Sequence, residues 1–127
     1  MATFIVDRAA MDYLLKDEKG DVGRHLTKLG ARLSRLAKRQ VGVDTGALRR
    51  SINYRLAHRY GSLMVVVGSD NRIAFMHHQG TRPHIIMPRR AQTLRFYHRG
   101  RIVYSKLVHH PGTKPNRYLT DNLRRVI

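Results

Sequence analysis

Six histidines between positions 77 and 110, namely His77, His78, His84, His98, His109 and His110, have the most evident chemical potential. A neutral imidazole binds divalent metals, and its protonation changes near neutral pH. Their spacing argues against a metal centre. Adjacent histidines on an extended chain point to opposite faces, no HExxH or His-x-Glu pattern occurs, and no carboxylate lies between Asn71 and Asp121. Structural or partner-contacting roles fit these residues better, and neither metal nor cofactor is expected. The chain has no cysteine, which removes disulfides, thiolate zinc sites and cysteine nucleophiles together.

Carboxylate chemistry is equally thin. Asp44-Thr45-Gly46 matches the Asp-Thr-Gly of aspartic proteases, but a basic helical turn follows it and the second carboxylate would have to come from a dimer mate. No nucleophile elbow, P-loop, dinucleotide fingerprint or kinase signature occurs. The enzymatic chemistry that survives best is metal-independent RNA cleavage of the small bacterial toxin type. There Tyr97, His98, Arg99, Arg101 and His109 could orient and protonate a phosphodiester. Any basic hairpin displays the same groups, so a non-enzymatic role is the expectation.

Charge is the strongest compositional signal: 25 Lys and Arg against eight Asp and Glu give a net charge of +17. Such a field attracts phosphate backbones or an acidic protein surface. It is unevenly spread. Asp7, Asp12, Asp17, Glu18 and Asp21 lie in the first 21 residues, leaving only Asp44, Asp70 and Asp121 beyond them. At 127 residues the chain suits a single domain, read as an N-terminal segment 1–20 and a body 21–127. No apolar run is long enough for a membrane span, so a soluble protein without membrane partners is expected.

The elements that must position these groups follow from periodicity. Residues 7–16 suit a short helix, and Asp21 is placed to cap a longer one reaching about Gln40. Val22, Leu26, Leu29, Leu33 and Leu36 draw one apolar stripe along it, with Gly23 and Gly30 as mild weaknesses. Arg24, Lys28, Arg32, Arg35 and Arg39 form a separate basic stripe starting about 200° round the helix. That stripe is a candidate DNA-facing or partner-facing surface, or simply a solvated face. Residues 52–56 and 63–67 read as a β-hairpin whose second strand is well buried, and 72–79 is ambiguous between helix and strand. Residues 84–87 are extended between Pro83 and Pro88. Residues 94–98 and 102–108 form a second hairpin, and a terminal helix starts near Pro115-Asn116 with Leu119, Leu123 and Val126 on one face.

One pattern occurs twice. His77-His78-Gln79-Gly80-Thr81-Arg82-Pro83-His84 is echoed 32 positions later by His109-His110-Pro111-Gly112-Thr113-Lys114-Pro115-Asn116. Two copies with different elements between them do not make a solenoid, so two similar loops are expected, each with a turn-permitting Gly and a stiffening Pro.

Three separated pieces carry a family resemblance: Asp44-Thr45-Gly46-Ala47-Leu48-Arg49-Arg50-Ser51-Ile52 after a long amphipathic helix, Gly80-Thr81-Arg82-Pro83-His84, and His110-Pro111-Gly112-Thr113-Lys114-Pro115 before a terminal helix. Together they resemble the tail-completion or head-to-tail connector (neck) proteins of long-tailed double-stranded DNA phages, over most of the chain from residue 21 onward. Family members often carry an acidic residue just before the central Gly-Thr, where this chain has His77, His78 and Gln79.

The resemblance implies an α+β fold, with a long amphipathic helix packed on an antiparallel β-sheet, extended hairpins and a short C-terminal helix. It implies a non-catalytic virion protein of the head-tail junction, assembled in the host cytoplasm into a ring around the DNA channel, six-fold favoured and twelve-fold the alternative. Adjacent head-completion and tail-terminator or tail-tube proteins would be its partners, with packaged DNA nearby without sequence-specific contact. The loop residues His77, His78, Gly80, Thr81, Arg82, Pro83, His109, His110, Gly112, Thr113, Lys114 and Pro115 are candidate subunit contacts. A ring needs a heterologous interface, and free hairpin edges could supply it, so an isolated subunit should look unfinished. A free-standing nucleic-acid-binding protein is the alternative from a different class, and the ribonuclease a third.

Overall fold

Asp7 opens the first helix, α1 (Arg8–Lys16), by accepting a hydrogen bond from the backbone N–H of Ala10 at 3.1 Å. The computed structural model describes residues 2–127. After a tight connection, the 20-residue helix α2 (Asp21–Gln40) begins at Gly20, which takes the N-cap position. Asp21, expected as the cap, instead lies in the first turn and pairs with Arg24, where its charge still favours the helix N-terminus.

The face of α2 that packs most tightly differs from the expected leucine stripe. Gly23, Gly30, Ser34 and Ala37 are buried together with Leu33, whereas Val22, Leu26, Leu29 and Leu36 are only half-buried. Close approach is the reason. A Cβ on Gly30 would lie 2.6 Å from Val65 Cγ2 and 3.1 Å from the Tyr54 ring, so α2 reaches the strands beneath it only because this position has no side chain. The residue that looks like a helix weakness is the contact point, and the leucines flank it.

Beneath α2 lies an antiparallel ribbon of β1 (Asn53–Arg59) and β2 (Ser62–Gly68), in register from Asn53↔Gly68 to Arg59↔Ser62. Tyr60 and Gly61, both at positive φ, make the two-residue turn that suits the twist of such a hairpin. The second strand is half-buried rather than well buried, with Val66 38% exposed, because only one face of the ribbon is covered. Helix α3 (Ala47–Ser51) leads into β1 and places Leu48 and Ile52 in the core.

The remaining elements are short. The ambiguous stretch 72–79 is helical, as α4 (Ala74–Gln79). Strand β3 (His84–Ile86) pairs with β6 (Val108–His110), and β4 (Leu94–His98) pairs with β5 (Arg101–Ser105) around a second positive-φ turn at Arg99 and Gly100. The run 102–108 is therefore not one strand. Ser105 Oγ bonds the carbonyl of Leu107 at 2.5 Å and folds the chain out of the ribbon, so 108–110 joins a different partner. Among the described residues the six strands form three two-stranded ribbons.

The C-terminal helix α5 (Thr120–Leu123) is a single turn that starts later than Pro115-Asn116. Asn116 is held otherwise: its side chain donates to the Gln40 carbonyl at 3.1 Å and accepts from Gln40 Nε2 at 3.2 Å. Buried Asn122 donates to Gln40 Oε1 at 2.7 Å and to the Tyr118 carbonyl at 2.8 Å, which ties the chain end to the end of α2. The core is small, built from Ala37, Val41, Leu48, Ile52 and Tyr118 with Ala74 and Leu119 against it.

Candidate functional site

The two echoed loops clasp each other. Thr81 and Thr113, equivalent positions 32 residues apart, exchange both backbone hydrogen bonds, N–H of each to the carbonyl of the other at 3.0 and 3.1 Å. Their hydroxyls meet at 3.2 Å. The antiparallel register continues through His84↔His110 to Ile86↔Val108, so the sequence repeat becomes a local two-fold arrangement about the threonine pair. Gly80 and Gly112 show it best. Both have positive φ, and a Cβ on Gly80 would lie 2.6 Å from the Thr113 carbonyl oxygen while one on Gly112 would lie 2.4 Å from that of Thr81.

This places most of the candidate loop residues. The Gly-Thr segments are engaged with each other, while Arg82, Pro83, Lys114 and Pro115 remain exposed on the rim. His84 and His110 stack with ring centroids 4.8 Å apart. His77 and His78 turn inward: His77 Nε2 accepts the Gly42 N–H at 3.2 Å, and both rings pack on Tyr118 at 5.9 and 5.3 Å. His77 Nε2 and both rings are thus engaged within the chain, although both residues stay partly exposed. His109 stays exposed. Tyr118, 1% exposed, has its phenol pKa pushed above the ordinary 10.0 by burial, which disfavours the phenolate.

The basic stripe is presented to solvent throughout: Arg24, Lys28, Arg32, Arg35 and Arg39 are all exposed. Among the described residues only Lys16–Asp12 and Arg24–Asp21 form ion pairs, so four of the five stripe cations have no carboxylate partner. A helix face of unpaired cations is electrostatically unfinished, although each exposed charge is individually well solvated.

Of the residues considered for RNA cleavage, Tyr97, His98 and His109 border one open cleft of about 720 Å³ between β4–β5 and β6, whose walls are otherwise largely apolar. Arg99 and Arg101 sit at the hairpin tip, outside that lining. No carboxylate lines the cleft, and among the described residues no group of three or more His, Cys, Asp or Glu could hold a metal ion.

A surface that sequence reasoning did not single out is a groove between α2, β2 and α5. Leu26, Leu29, Val65, Leu119, Leu123 and Val126 border an open space of about 470 Å³. The expected common face of Leu119, Leu123 and Val126 is present, but it faces this groove, while the i, i+4 series Tyr118, Asn122 and Val126 is the buried one. The signal was there in the leucine stripe of α2, whose spacing is apolar but whose surplus over the small-residue face is left for something else to cover.

Exposure of this kind is general. The accessible surface is 10764 Å² for 14.7 kDa, against about 6,900 Å² expected of a compact folded monomer of that mass. No described helix is long and apolar enough to cross a membrane. Compared with known proteins, the chain matches no family model, no curated protein and no solved structure.

Proposed function

We propose that this chain is a self-assembling structural subunit, used as a ring-forming connector at the head-to-tail junction of a long-tailed double-stranded DNA phage. The observation that carries the self-assembling part is the surplus of surface. A subunit in a ring has two neighbours, and stable interfaces of the obligate class bury about 1,000–2,500 Å² on each partner. Two of them would absorb an excess of the size described above. The phage setting rests on the three motif segments and their order, and so do the six-fold ring, the neighbouring head-completion and tail proteins, and the location in the virion. The reading includes no catalytic step.

The test is the mass of the purified protein by light scattering across concentration, with electron microscopy of the largest species. Closed rings, or incorporation into isolated virion necks, are expected. A species that stays monomeric at all concentrations and ignores neck components overturns the reading. The unpaired cations of α2 favour a second reading, non-specific nucleic-acid binding by a monomer. It predicts a log-log decrease of affinity with salt whose slope is about 0.9 per phosphate neutralised.

A further inference from the structure

Two parts of the chain are unsatisfied in complementary ways. The first is the N-terminal arm, residues 2–6, in which Phe4 is 90%, Ile5 92% and Val6 67% exposed. It lies outside any helix or strand, is mostly apolar and carries no charged side chain, and α1, which follows it, buries none of its own residues and leaves Met11, Tyr13 and Leu15 exposed. The second is the apolar groove between α2, β2 and α5, open along a strand that among the described residues pairs only with β1 and so has a free edge.

Charge has the same complementarity. Residues 1–21 carry five acids against three bases, Arg8, Lys16 and Lys19, whereas residues 22–127 carry three acids against 22 bases. The acidic segment adjoins the arm, and the groove belongs to the basic body, although the stripe Arg24, Lys28, Arg32, Arg35 and Arg39 lies on a different face of α2 from the leucines that border it.

We propose that the arm of one copy docks in the α2–β2–α5 groove of the next, adding residues 3–6 beside the free edge of β2 while the acidic segment behind it meets the neighbour's basic body. Alternate arm side chains would then face the leucines of α2, and the backbone would gain hydrogen bonds that an exposed edge otherwise gives to water. The contact is head-to-tail, since arm and groove are different surfaces, so repeating it closes a ring or extends a filament. It rests on the self-assembling reading but not on the phage setting.

Because the chain lacks cysteine, mixed single-cysteine variants give a direct test. Ile5→Cys chains and Val66→Cys chains, mixed under assembling conditions and oxidised, should form a disulfide-linked mixed dimer. Deleting residues 2–6 should leave the melting transition in place, because Phe4 and Ile5 are almost fully exposed in their own chain, and should raise the assembly midpoint at least about tenfold. If the full chain assembles but the deletion assembles at unchanged concentration and no mixed dimer forms, arm docking is wrong while self-assembly stands. If a chain carrying both cysteines closes internally in dilute solution and mixed chains do not link, the arm covers its own groove and the proposal fails. A full chain that never assembles removes the broader reading and this one together.

Discussion

The clasp of loops and the N-terminal arm are the two regions of this molecule where short, conspicuous sequence meets opposite fates. At the clasp, Thr81 and Thr113 find each other inside one chain, and Gly80 and Gly112 sit so close to the opposing backbone that neither tolerates a side chain. At the arm, Phe4 and Ile5 find nothing, although an apolar groove lies open on the same molecule. A segment with its partner in the same chain contributes to folding. One without contributes only when a second molecule arrives, so the two regions should separate in experiments that measure stability and assembly independently.

The largest effect belongs to the ring that supports the clasp from below. Tyr118→Ala removes the largest fully buried side chain and the surface on which His77 and His78 rest, and should cost about 3–5 kcal/mol in denaturant unfolding. Next, Gly112→Ala and Gly80→Ala each place a Cβ against backbone at positive φ, and each should cost about 1–3 kcal/mol. Because both report on one clasp, the double variant should lose less than the sum, which a double-mutant cycle measures. Additive losses would mean the loops are held separately, and the comparison would break.

Alkaline pH gives a smaller and more specific probe. The folded pKa of Tyr118 is raised above the unfolded 10.0, so its contribution is complete below that value and declines as pH rises through it. Stability should therefore fall above pH 10 more steeply in the native protein than in Tyr118→Phe, in which the ring stays but nothing ionises. The weakest expected effect is at the arm: Phe4→Ser with Ile5→Ser should change unfolding free energy by no more than about 0.5 kcal/mol. A larger loss, measured on dilute monomer, would show that the arm belongs to the fold and remove the contrast.

Much of the architecture was legible in the chain itself. Apolar periodicity located α2, the alternation and turn residues located both hairpins, and charge counting located the basic body and the acidic N-terminal segment. These are local properties: a helix stripe, a positive-φ turn and a run of cations depend on neighbours within a few residues. The β5–β6 break was less legible because it turns on one serine hydroxyl, bonded to the carbonyl two residues on, within a stretch that starts and ends on β-branched residues and has no Gly or Pro to mark a turn.

Tertiary structure alone decided which surfaces were already taken. The echo of His-His-x-Gly-Thr-basic-Pro is plain in the sequence, but equivalent loops can face outward in parallel or inward as a pair, and only the fold places Thr81 on Thr113. Likewise α2 carries two apolar lines, one of small residues and one of leucines. The choice between them depends on how closely Val65 and Tyr54 approach, a distance that helix periodicity does not contain. Sequence determined what each segment offers to a partner, because side-chain type and spacing are intrinsic. The fold determined which partner was within reach, because proximity between distant segments is a property of the packed chain.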